Sequence, residues 1–561
     1  MTEYQLGRKF NDAFKQTALG VSIGEQNQLA EFAKVLRSGA QMAEIDLASL
    51  YGFTGNGTPA TRMGKTEREA FGNLAKTNQA DLSIHAPWSI NPSGINPQSG
   101  ERDMEYMALM KNEMKAAINF ADDVSKSMGK HNMPIIFHAA SDHFGNPDPK
   151  LRLIAYDNEA DKIFPIKEQK LDNMTAEKFR QLYGDDTYNR VKIGLKPSED
   201  GKGIILTPEA AFQFQKDQLR INMNQERVNL EINQRELEMQ KFRLVNELAE
   251  ASAGGDLARI DKLNKTKDAY DQMLKDLNVR KDRIDNGIEH INERLVRYDE
   301  KAPLLAAEGI KDAALMSARS TTKPMILVEN TMTPEMSLSK PVDVAKAVEQ
   351  ARRLFVDAAT KDEKLNLSKS DAEDLANQLI GVNLDVGHLN IFKSYGLDNR
   401  KIVSMLTEQG KLDDKTRVRL ADYIKRYHLN DNMGDIDAHL PLGEGTTPIK
   451  EIYETLRNAG VEAPAIMEVF GGQGGIEAGM TQSLEYLGAP IYGDVPFTSL
   501  PTYAANPYSS IIGDYSHYSN LGLRQDLFSY GGFTGLSPIL GGGYMENTRG
   551  GGGGFSGAPM A

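Results

Sequence analysis

The stretch "HLNDNMGDIDAHLPLGEG", residues 428–445, carries His428, Asp437 and His439 in a segment too rich in Gly and Pro for a helix. Imidazole beside carboxylate can move protons, or it can supply the nitrogen and oxygen ligands of a divalent metal. The chain contains no cysteine, so thiolate nucleophiles, disulfides and Cys-based zinc or iron–sulfur sites are excluded. Any metal must then be held by His and carboxylates. Of the nine histidines, five fall at the ends of short aliphatic runs with Asp or Glu close by: His85, His138, His388, His428 and His439.

Those runs read as strands. They are "LGVSIG" (19–24), "AEIDLA" (43–48), "LSIHAP" (82–87), "PIIFHAA" (134–140), "MILVEN" (325–330), "GVNLDVGH" (381–388), "RYHLND" (426–431) and "AIMEVF" (465–470). Helical patterns lie between them, among them "NQLAEFAKVLRSG", "RDMEYMALMKNEMKAAINFADDVSKSM", "VDVAKAVEQARRLFVDAA" and "IKEIYETLRNAG". Eight strands alternating with helices predict an α/β fold, a (β/α)₈ TIM barrel. A doubly wound open sheet is the competing architecture, but no strand runs into a GxGxxG turn.

The rhythm breaks once, between His138 and Glu329. Inside that gap, residues 208–300 are polar and helically periodic. Leu277, Ile284, Ile288, Ile291, Leu295 and Tyr298 follow a heptad spacing, and "ASAGGD" at 251–256 offers a reversal. The expectation is an antiparallel coiled-coil hairpin with arms of about 43 residues, each about 65 Å long. Its expected role is structural or self-associating, with clamping of DNA or a partner as the alternative. The resulting organisation is barrel at 1–145, insertion at 146–319, barrel again at 320–490, and a Gly/Tyr-rich low-complexity tail at 491–561.

A net charge of −13 argues against a broad basic surface for nucleic acid, although metal ions in a cleft can supply local positive charge. No run approaches a membrane span and the first twenty residues lack an apolar signal region, so the expected location is cytoplasmic.

Active groups of a (β/α)₈ barrel gather at the C-terminal ends of its strands. There the sequence places His85, His138, Glu329, Asp385 with His388, His428 with Asp437 and His439, and Glu468. Singly, each could be a capped or hydrogen-bonded rim residue. Together, that many carboxylates would repel one another without a compensating cation. The nitrogen and oxygen donor set suits Zn²⁺ or Mn²⁺.

The motifs "HAPWSINP", "VENT", "LDVGH", "HLND", "DAHLPLGEG" and "MEVF" resemble the xylose isomerase-like TIM barrel superfamily, in particular the apurinic endonuclease IV family, over about 15–145 and 320–490. The resemblance implies up to three divalent ions. His85, His138 and Glu329 would hold one; Glu329, Asp385, His428 and Glu468 a second; His388, Asp437 and His439 a third. It further implies cleavage of DNA at abasic or damaged sites through a metal-bound hydroxide, with Glu468 beside the attacking water. Trp88, Asn91 and His143 would face the substrate.

Two features depart from that family. The interval from His428 to Asp437 is short, and "AASDHFG" after His138 lacks a Pro-Gly pair. The first resembles instead the sugar phosphate isomerase and epimerase branch. There Glu329, Asp385, His428 and Glu468 would bind one ion, and Glu329 and Glu468 would form the acid/base pair acting on a small sugar phosphate. A non-catalytic scaffold acting through the arm and tail is the third reading.

Overall fold

The structure is a computed structural model that describes residues 19–24, 27–37, 40–49, 57–87, 89–139, 153–332, 338–469 and 476–487. Trp88, His143 and the tail at 491–561 lie outside the described residues. The chain divides into two compact units, Met1–Pro147 with Asp299–Ala561, and Asp148–Tyr298. The helix running to Ala318 falls almost wholly in the first of these units.

In the first unit, eight strands close into one all-parallel barrel. In chain order they are Leu19–Ile23, Met42–Asp46, Asp81–His85, Pro134–His138, Met325–Glu329, Ile380–Asp385, Ile424–Leu429 and Ala465–Met467. A parallel strand covered on both faces needs apolar residues in near-continuous runs. "PIIFH" meets this need, with all five residues buried. The barrel's (β/α)₈ architecture is as the sequence predicts, although several strands stop one to three residues short of the aliphatic runs. The sixth stops at Asp385, and His388 sits instead on a short helical turn, Val386–Asn390. Asp385 causes the change, because its carboxylate caps that turn by accepting the His388 N–H at 2.8 Å.

The surrounding helices carry their own start and stop signals. Asp103 caps helix Met104–Met128, accepting from the N–H groups of Glu105 and Tyr106, and Gly129 ends it at φ 72°. Helix Pro341–Ala359 begins with a proline, which has no N–H to orphan there. Their apolar faces bury Phe120 and Phe355 completely, and Phe71 bridges Phe120 to Phe32 with ring centroids 6.3 and 6.1 Å apart.

The second unit holds two small antiparallel sheets that the sequence reading did not anticipate. One joins Leu295–Arg297, Leu153–Asp157 and Lys162–Ile166; the other joins Gln169–Asp172, Gly203–Leu206 and Leu195–Pro197. They enclose an apolar core that includes Leu153, Ile166, Phe179, Leu206 and Phe214. Two long helices follow, a first arm Pro208–Gly254 and a second arm Leu257–Glu289. Gly255 at φ 64° turns the chain, and Asp256 caps the second arm. Ion pairs Arg227–Asp285, Glu231–Lys281 and Lys241–Asp271 align the arms antiparallel, with Leu230, Leu244 and Ile284 buried among them. The expected heptad seam stops early. His290 leaves the helical conformation, Leu295 enters a strand, and Tyr298 opens the next helix.

Among the described residues no helix is long and apolar enough to cross a membrane.

Candidate metal centre

Register explains why the strand-end residues meet. Glu329 pairs with His138, Asp385 with His428, and Asp46 with His85 across neighbouring strands. Side chains on one face of a strand alternate with period two, so these rungs stack around the same rim.

Glu329 is fully buried at the centre. Its carboxylate lies 3.4 Å from His85 Nε2, 3.3 Å from His428 Nδ1 and 3.7 Å from His388 Nδ1. His428 Nδ1 also stands 2.9 Å from Glu468 Oε2. On one side, Asp437 Oδ2 takes His439 Nε2 at 2.8 Å and His388 Nε2 at 3.2 Å. Three groups therefore have ligand atoms within 4.8 Å of one another: His85, Glu329 and His428; Glu329, Asp385, His428 and Glu468; and His388, Asp437 and His439. The second and third of these are the sets implied by the sequence resemblance. The first differs from it, because His428 stands where His138 was expected. The His138 ring instead packs edge-on against His85 at 5.3 Å and against His388 at 5.9 Å.

The remaining contacts aim the rings. His85, His388 and His439 each turn Nδ1 to a backbone carbonyl, of Ala86, Asn330 and Glu468 at 2.9, 2.7 and 3.1 Å. Nδ1 donates there, which leaves Nε2 as the ring nitrogen facing the cluster. His428 is reversed. Its Nε2 lies 2.8 Å from Glu44 Oε1, so Nδ1 faces Glu329 and Glu468.

Glu44 was not among the residues singled out from the sequence. It is fully buried on the second strand, accepts from Ser83 Oγ at 2.7 Å and lies 3.9 Å from Arg426. Glu44 and Asp46 alternate along one strand and so share a face, which is the signal "AEIDLA" offered. Replacing Glu44 by alanine should free the His428 ring and weaken divalent-ion binding by about 10- to 100-fold. A Co²⁺ absorption titration of parent and variant measures this.

Asn91 holds its own turn: its Oδ1 accepts from Ser93 N and Oγ, and one Nδ2–H donates to the Ile95 carbonyl. Asp431 braces the loop after the seventh strand, accepting backbone N–H groups from Asn432, Gly443, Gly445 and Thr447 at 2.9–3.0 Å.

The electrostatics ask for positive charge. Burial raises the Asp385 carboxyl to about 6, helped by the like charges of Glu329, Asp437 and Glu468 and opposed by His388. Burial likewise lifts Asp46 to about 8. Burial also disfavours charge on Glu329, but His428 and His85 pull it well below the carboxylate range. The histidines answer in kind. Burial disfavours their protonated forms, yet Glu329 beside His85, and Glu468 and Asp437 beside His439, hold both rings up at about 10. His138 lacks such a contact, and burial lowers it to about 4. Several polar atoms remain without a hydrogen bond among the described residues, including Asp437 Oδ1, Asn383 Oδ1 and Asn430 Oδ1. Orphaned buried donors and acceptors around massed carboxylates fit a bound divalent cation.

Comparison with known proteins gives two findings. Residues 307–489 match the family model described as xylose isomerase-like TIM barrel, a span that includes strands five to eight and seven of the rim residues. Among solved structures, the crystal structure of a D-tagatose 3-epimerase-like protein aligns at 13% identity and a TM-score of 0.35, covering 84% of this chain and 97% of that one. No curated protein matches the chain. Over residues 307–489, the chain is similar to the xylose isomerase-like TIM barrel family.

Proposed function

We propose that the chain is a metal-dependent phosphodiesterase of the endonuclease IV kind, acting on abasic or damaged DNA. The observation that carries this reading is the third cluster, His388, Asp437 and His439, standing beside a four-ligand set that would already hold an ion alone. In the isomerase reading the four-ligand set would hold a single ion and the third cluster would have no ion to bind. A second and third cation suit the charge of a phosphodiester and its leaving oxygen.

Glu329, Asp385, His428 and Glu468 would hold one ion, and His388, Asp437 and His439 another. His85, with Glu329 shared between sites, would complete a third. The ions would supply a water of lowered pKa and neutralise charge on the phosphate oxygens. The chain's own groups do the rest. Glu468 Oε2 lies in the site 2.9 Å from His428 Nδ1, where it can orient a water and accept its proton. Asn383 Nδ2 donates to Glu329 Oε2 at 3.2 Å and keeps that carboxylate turned toward both groups. Asn430 Nδ2 does the same for Asp385 Oδ2 at 2.6 Å.

The second reading, a divalent-metal isomerase or epimerase of a sugar phosphate, is favoured by the completeness of the four-ligand group. In it Glu329 and Glu468 would exchange the substrate proton. A duplex carrying one abasic analogue tests the first reading. Nicking is expected that a chelator abolishes and Zn²⁺ or Mn²⁺ restores. Turnover of a sugar phosphate without nicking would replace it with the second.

A further inference from the structure

The two-arm hairpin carries a second apolar stripe that its own packing does not use. The inward seam of the first arm runs through Leu230, Leu237, Leu244 and Ala251. Two residues away from most of these, and so on the opposite side of the helix, lie Val228, Ile232, Arg235, Met239, Phe242, Asn246, Ala249 and Ala253. Their steps alternate four and three, a heptad seam in its own right. Val228, Ile232, Met239 and Phe242 are 47, 50, 56 and 69% exposed. An isolated two-helix hairpin has no reason to repeat large apolar residues on its solvent face.

We propose that this stripe is a dimerisation seam, occupied by the same stripe of a second copy of the chain running antiparallel. The residues are self-complementary in that direction. Phe242 of each copy meets Met239 of the other at the centre. Ile232 then faces Ala249, Val228 faces Ala253, and Arg235 faces Asn246, so large residues are matched with small ones toward the ends. Along the edge, Glu236 of each copy comes beside Arg243 of the other. Neither forms an ion pair among the described residues of its own chain, so two symmetric pairs are left to the interface. A two-fold axis produces this pattern naturally, since it presents one patch to itself. The parallel alternative sets Arg235 against Arg235 and Glu231 beside Glu236, a like-charge arrangement.

Light scattering on the eluting full-length chain should give twice the chain mass at tens of micromolar. Phe242→Lys should return it to one chain mass with an unchanged helical circular dichroism spectrum. Glu236→Arg should weaken association by about tenfold, and adding Arg243→Glu should restore it. A monomeric parent, or a Phe242→Lys variant that stays dimeric, would overturn the proposal. Orientation has its own readout, because the chain has no native cysteine. Met239→Cys and Phe242→Cys chains should form a disulfide-linked dimer when mixed and oxidised. Efficient cross-linking of each alone, unimproved by mixing, would overturn the antiparallel register.

Discussion

Glu329→Gln should reduce turnover by on the order of 10³-fold or more, whichever substrate is used. Glu329 belongs to two of the three ligand groups, and it is fully buried, so no solvent ion or neighbouring side chain can take its place. The amide is nearly isosteric but neutral. It keeps the volume and the Asn383 contact while removing the charge that His85 and His428 both face. Metal bound per chain should fall together with activity, because both groups lose their common ligand. The check is a pair of measurements on one preparation, bound metal and single-turnover rate. A Glu329→Gln chain that keeps full metal content and a rate within a few-fold of the parent would remove this residue from the centre of the site.

His388→Ala separates the two enzyme readings. It strips one ligand from the His388, Asp437 and His439 group and leaves Glu329, Asp385, His428 and Glu468 complete. Its ring is 2% exposed and held by the Asn330 carbonyl, so the change removes a pre-aimed ligand rather than a mobile surface group. A phosphodiesterase that uses this group should lose on the order of 10²-fold in nicking rate. An isomerase working from the four-ligand set should keep its turnover number within about tenfold and show the loss chiefly as a weaker KM. Nicking of abasic DNA at the parental rate by this variant would sink the multi-ion mechanism.

The barrel and most of its rim were legible because a parallel strand must be apolar throughout until it reaches the ligand-bearing end. "PIIFH", "MILVE" and "IGVNLD" each announce their last polar residue in that way. Glu44 was less legible. Its neighbour Asp46 made the strand look half-solvated, and only barrel closure shows that both carboxylates face inward toward His428 and Ser22. The position of His388 on a helical turn depends on a cap by Asp385 that no periodicity reveals. The small sheets of the insertion escaped for another reason. Strands of three to five residues such as Leu195–Pro197 carry too few alternations to stand out beside long helical repeats. The heptad count likewise ran on past His290, because spacing alone does not register the break in backbone conformation there.

On the proposed reading, the clustered carboxylates and histidines of the barrel mouth bind more than one divalent ion. Elemental mass spectrometry on full-length protein purified without chelator, and again after dialysis against Zn²⁺ or Mn²⁺, counts them directly. Two to three ions per chain are expected, falling by about one in His388→Ala. A single ion, unchanged in that variant, would contradict it and leave the four-ligand isomerase site in its place.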